Sequence, residues 1–187
     1  MACTALEAFF WDVLRENVLT VVKARRTGAD ESLRNLTFTL GDYISIQQYD
    51  DPDLRLKQII LKNFERGTLY DVNSIDKVVQ TLTVRNFWEQ IEKNTKTPAG
   101  ESRRYIEDLI WRRNQIAHRA DRPDEGEEAD PLGLRAISFA WTNQRVQTSR
   151  TLVTASANLF RRVIKRLEDD IRVAEEQAEA RRLAKLG

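Results

Sequence analysis

The sequence predicts an all-α fold, an up-and-down helical bundle closed by a long C-terminal helix. Apolar residues recur at three- and four-residue intervals through most of the 187 residues, the spacing of one buried face on a 3.6-residue period. Glycine and proline are scarce, seven and four, and fall between the periodic segments, which is how a helical chain punctuates itself. Hydrophobic residues make up 41% and charged residues 32%, a balance that supports one core with solvated helix faces and argues against wholesale disorder.

The first helix is expected from about Ala5 to Arg25, carried by Leu6, Phe9, Phe10, Val13, Leu14, Val18 and Val21 or Val22. The polar stretch RRTGADES ends it. A second is expected from Glu31 to about Tyr49, weakened by Thr37, Thr39 and Ile44 and open to a bend at Gly41. Asp51-Pro52-Asp53 supplies a cap with proline in the first turn of a third, amphipathic helix that stops at Gly67. Ile75, Val78, Val79, Leu82, Phe87, Trp88 and Ile91 predict a single helix from Ser74 to about Lys93. Thr81, Thr83 and Val84 favour a strand there, but no neighbouring run alternates to pair with it.

Thr97-Pro98-Ala99-Gly100 breaks the chain before a helix from Glu101 to about Ala120, and an acidic loop follows from Asp121 to Pro131. Leu134 to Trp141 reads equally as a short helix or an extended piece. From Ser149 to about Leu183 one long helix is expected, with Leu152, Ala155, Leu159, Val163, Leu167 and Ile171 on its core side. Beyond Ile171 the sequence is helix-forming yet polar nearly all round, as in a segment that projects into solvent or meets a partner.

Composition excludes several classes. No apolar run approaches the roughly 18 residues of a membrane span, and Glu7, Asp12 and Arg15 interrupt what would be the core of a signal peptide. A cytoplasmic protein is expected. Cys3 is the single cysteine, so a disulfide within the chain and a thiolate metal cage are both ruled out. The net charge is +1, so any affinity for nucleic acid must come from a local patch. There is no glycine-rich phosphate loop, dinucleotide fingerprint, nucleophile elbow or zinc spacing. The acidic loop lacks the alternating ligands and central glycine of a calcium loop. Neither metal nor cofactor is expected.

The segment EDLIWRRNQIAHRADR, residues 107 to 122, carries the chemistry. Ile106, Leu109, Ile110, Ile116 and Ala117 form an apolar stripe on its helix, with Arg113 near the middle. A guanidinium there is paired, at an interface or lining a polar cavity, since an unpaired buried charge costs several kcal/mol. A structural ion pair accounts for it as well as a functional role does. His118, the only histidine, shares a helix face with Asn114, whereas Arg113 lies about 140° away. Arg113 and His118 therefore meet on one phosphate only if the helix loosens near Arg119 or a second copy supplies the missing group. Within six residues stand a proton-transfer group that titrates near neutrality, a fixed cation suited to phosphate and an amide able to orient either. RNA cleavage without a metal requires that set.

The string RRNQIAHRADR, followed by a loop and a long closing helix, resembles the signature of the HEPN superfamily, in particular HEPN domains of the RiboL-PSP and Swt1-like kinds. In these an Arg and a following polar residue precede a His by four to six positions near the end of a bundle helix. The resemblance implies a HEPN-like bundle over residues 1–171, with 172–187 a polar helical extension. It also implies a homodimer in which two motifs face each other as a metal-independent endoribonuclease, leaving 2′,3′-cyclic phosphate and 5′-hydroxyl ends. By that likeness His118 transfers a proton, Arg113 stabilises the charge on phosphorus and Asn114 orients them. Many relatives are toxins or antiviral effectors, often held in check by an antitoxin or associated regulator.

Pairing also follows from stoichiometry, because in-line transesterification uses both a base and an acid and each chain has one histidine. Arg112 and Arg119 are further candidates to hold RNA phosphates, and Trp111, on the Asn114 and His118 side, to stack a base. For the arginines a solvated helix face is the simpler reading. The rival to the enzyme is a catalytically silent helical module that dimerises or binds a partner, which the near-neutral charge favours.

Overall fold

The computed structural model describes residues 2–24, 38–65, 71–119, 122–123, 133–134 and 138–185, without the side chains of Glu65, His118 and Arg119. Among them are seven helices and no strand: α1 Ala2–Ala24, α2 Leu40–Gln48, α3 Pro52–Glu65, α4 Val72–Thr81, α5 Phe87–Thr95, α6 Glu101–Arg119 and α7 Phe139–Leu183. The all-α class and the long last helix are as the sequence predicts.

The chain forms two compact units, each assembled from three separate segments. The first takes Met1–Phe10, Leu69–Ile75 and Asn86–Ala157. Its core is Leu6 and Phe10 from α1, Val72 and Ile75 from α4, Phe87 and Ile91 from α5, Ile106 from α6 and Leu152 from α7, all buried. Phe10 meets Phe87 edge-on at 6.1 Å between ring centroids, a geometry aromatic pairs favour. The second unit takes Trp11–Thr68, Asp76–Arg85 and Asn158–Gly187. Leu14, Val18 and Val21 of α1 are buried there, with Ile59 and Ile60 of α3, Val78 and Val79 of α4, and Leu159, Phe160, Ile164 and Leu167 of α7. These positions repeat at three and four residues, so the periodicity in the sequence is the periodicity of burial.

Three boundaries differ from the sequence reading, each for a physical reason. α2 starts at Leu40, where Thr39 and Asp42 form a reciprocal capping box, so Gly41 sits in the first turn rather than at a bend. Residues 31–37 of the expected helix lie outside the described residues.

The single helix expected from Ser74 to Lys93 is two. Val84 N–H donates to the Val79 carbonyl at 3.1 Å and Thr83 N–H to that of Gln80 at 2.8 Å, with Thr83 at φ 62°. That is a left-handed helix stop, closed by the buried contact positions Val79 and Val84. A threonine holds a place usually taken by glycine, at a cost of about 1–2 kcal/mol, so the sequence carries no glycine to mark it.

α7 begins ten residues before the expected Ser149, at Phe139, with Ser138 Oγ accepting from Trp141 N–H at 3.0 Å. The buried residue of its first turns is Arg145, and a search for apolar periodicity passes over a cation. Past Ile171 every described residue to Lys185 is exposed.

Candidate active site

α6 carries the motif, and its first turn is fixed by an acid from the preceding helix. The buried Glu92 carboxylate of α5 accepts from Gly100 N–H at 3.0 Å and Ser102 N–H at 3.2 Å. A negative charge there satisfies donors that a helix start leaves open and complements its dipole. Gly100 reaches this turn at φ 78°, where a side chain is strained.

Two sides of α6 are then packed. One carries Ser102 and Ile106, both buried, and continues through the half-buried Leu109. Cys3 of α1 lies against it, its thiol donating to the Leu109 carbonyl at 3.7 Å. Burial pushes the Cys3 thiol above its usual pKa, and the positive charge of Arg113, one turn beyond Leu109, is the main opposing influence. Cys3 is therefore a protonated packing residue.

The other side carries Tyr105 and Asp108 and meets the first turns of α7. Arg145 Nη2 pairs with Asp108 at 2.7 Å, and its guanidinium lies 4.3 Å from the centroid of the Tyr105 ring and 5.1 Å from that of Trp141. Gln144 Nε2 donates to the Tyr105 hydroxyl at 3.3 Å. Sequence reasoning did not find these residues, because no periodic signal marks a buried cation held between aromatic rings.

Toward its C-terminal end α6 leaves the core. Trp111 is 48% and Ile116 49% exposed, and Ala117 is exposed too. The apolar stripe expected around Arg113 thus ends at Ile110, and Arg113 is half-buried rather than set in the core. Its Nη1 donates to Asn114 Oδ1 at 3.0 Å. In this contact the amide oxygen is the acceptor, so the Asn114 N–H groups are not used on the Arg113 cation. Arg112, grouped with the outward cations in the sequence reading, is 7% exposed. It follows Tyr105 by seven residues and Asp108 by four, and so falls on the packed polar side.

His118 and Arg119 form the last turn of α6, beyond the last described side chain of the helix. The backbone is α-helical through Arg119, so positions 113 and 118 stand about 140° apart around the axis. The helix does not loosen before Arg119, so within one chain it does not bring positions 113 and 118 to one side. Of the motif, the structure brings Arg113 and Asn114 into contact. Most of the expected acidic loop lies outside the described residues, although Arg122 and Pro123 are non-helical.

Among the described residues no three His, Cys, Asp or Glu groups gather as a metal site, and no helix is long and apolar enough to cross a membrane. Comparison with curated proteins and with solved structures returns no match. The RiboL-PSP-HEPN family model matches residues 1–171 of the 187, and the chain belongs to that family.

Proposed function

We propose that this protein is a metal-independent endoribonuclease of the HEPN type, completed when two chains pair, and that it acts in the cytoplasm as a toxin or antiviral effector. The observation that carries this reading is the Arg113–Asn114 hydrogen bond on a helix that stays regular past His118. Position 113 lies about 140° around α6 from position 118, which carries the single imidazole of the chain, and Asn114, bonded to the cation, lies between them around the axis. One chain then offers an incomplete set, and a symmetric partner supplies the rest.

In this mechanism one His118 removes the proton from the 2′-hydroxyl, which attacks the adjacent phosphorus. The His118 of the second chain protonates the departing 5′-oxygen. The bond formed is O2′–P and the bond broken is P–O5′, which yields a 2′,3′-cyclic phosphate and a 5′-hydroxyl without a cofactor. Arg113 stabilises the charge that grows on the non-bridging oxygens, held in orientation by Asn114. Trp111 stacks a base and Arg119 holds a neighbouring phosphate, while the buried Arg112 adds positive charge to the same helix. The exposed Ile116 and Ala117 suit a face that a second chain covers. An antitoxin or associated regulator is the expected means of restraint. Residues 1–171 form the HEPN unit in this reading, with 172–187 as its extension.

The test is incubation of purified wild type, Arg113→Ala and His118→Ala with RNA and a chelator, followed by analysis of product ends. Cyclic phosphate ends from wild type alone support the enzyme. Equal cleavage by all three removes the catalytic assignment, and no cleavage by wild type, alone or freed of its regulator, favours the silent binding module.

A further inference from the structure

We propose that Arg145 is a positioning residue for the motif, because its buried guanidinium ties the start of α7 to the Tyr105 and Asp108 turn of α6. The inference rests on the nuclease reading for the meaning of the motif, and on geometry for the role of Arg145.

Four contacts converge on this side chain. It pairs with Asp108 at 2.7 Å, donates to Gln144 Oε1 at 3.2 Å and lies against the faces of Tyr105 and Trp141. With 7% of its surface exposed, this cation is largely desolvated, which strengthens its contacts with the rings, while its partner Asp108 is half-exposed. Planarity matters. A guanidinium lies over two rings while its N–H groups meet a carboxylate, and an ammonium does this less well.

The position of the clamp gives it consequence. Asp108 precedes Arg113 by five residues, about 7.5 Å along the helix. α6 is helical to Arg119, and α7 begins at Phe139, two turns before Arg145. Arg145 therefore holds the α6 turn that leads into Arg113 and Asn114 against the start of α7. Displacement of a reacting group by about 1 Å costs on the order of 100-fold in rate, so a clamp at this place acts on turnover before it acts on binding.

The informative variants are Arg145→Lys and Asp108→Asn, which keep side-chain volume in a crowded site. With RNA and chelator, Arg145→Lys is expected to lower kcat by roughly 10- to 100-fold with KM within about twofold. Unchanged kcat alongside a lowered unfolding temperature overturns the proposal and leaves Arg145 a stabilising residue only.

A second readout needs no activity. His118 is the only histidine, so one imidazole C–H resonance in the NMR spectrum reports its surroundings. The resonance is expected to move in both variants, and its coincidence with wild type in folded protein overturns the proposal. If wild type cleaves no RNA, the nuclease reading fails on that arm, and the resonance alone decides whether Arg145 sets the place of the motif.

Discussion

The two ends of α6 are built in opposite ways. At its N-terminal end the Glu92 carboxylate takes two backbone N–H groups, Ser102 and Ile106 are buried, and Tyr105 and Asp108 are clamped by Arg145. At its C-terminal end Trp111, Ile116 and Ala117 are exposed, and Arg113 and Asn114 are half-buried and bonded to each other. The first end has the burial that determines stability, and the second presents polar and aromatic groups where a substrate or partner can reach them. Substitutions at the two ends should therefore separate stability from activity.

The largest expected effect is at the exposed end. His118→Ala should lower single-turnover RNA cleavage by about 10³-fold and Arg113→Ala by about 10²- to 10³-fold, with the unfolding midpoint of each near that of wild type. Ile106→Ala, in the packed half, should reverse the pattern, costing about 2–5 kcal/mol in denaturant unfolding and leaving cleavage by the folded fraction intact. Glu92→Ala should follow at about 1–3 kcal/mol, since it strands two donors at a buried helix start. Trp111→Ala is expected to raise KM for RNA about 5- to 100-fold, the range for loss of one stacked base, with little change in stability. Ile116→Ala should be the mildest for the single chain, within about 0.5 kcal/mol, and should weaken self-association measured by sedimentation. If Ile116→Ala instead destabilises the isolated chain as Ile106→Ala does, the contrast between the ends disappears.

What could be read from the sequence follows the same division. α1, α3 and the central part of α7 bury Leu14, Val18, Ile60, Leu159 and Leu167, and their spacing announces both the helix and its inner face. Asp51 ahead of Pro52 announces a start, and its carboxylate accepts from Leu54 N–H at 3.0 Å. The stop at Thr83 gives no such notice, because Val79 and Phe87, eight residues apart, keep a spacing that an uninterrupted helix also gives, and the left-handed residue is not glycine. Arg113, Asn114 and His118 stand out because three residue types with linked chemistry fall within six positions. Arg145 is invisible in sequence: its importance comes from Asp108, 37 residues earlier, and from two rings that only the fold brings to it. Arg112 shows the converse, a cation beside the motif that faces inward because Tyr105 and Asp108 share its side of the helix.

The shared site is tested most directly by dilution of wild-type chains with His118→Ala chains at fixed total concentration, after exchange of subunits. If each site uses the His118 of both chains, cleavage falls as the square of the wild-type fraction, to about a quarter at an equal mixture. A fall in simple proportion, to about half at the same mixture, means that each chain works alone and contradicts the account.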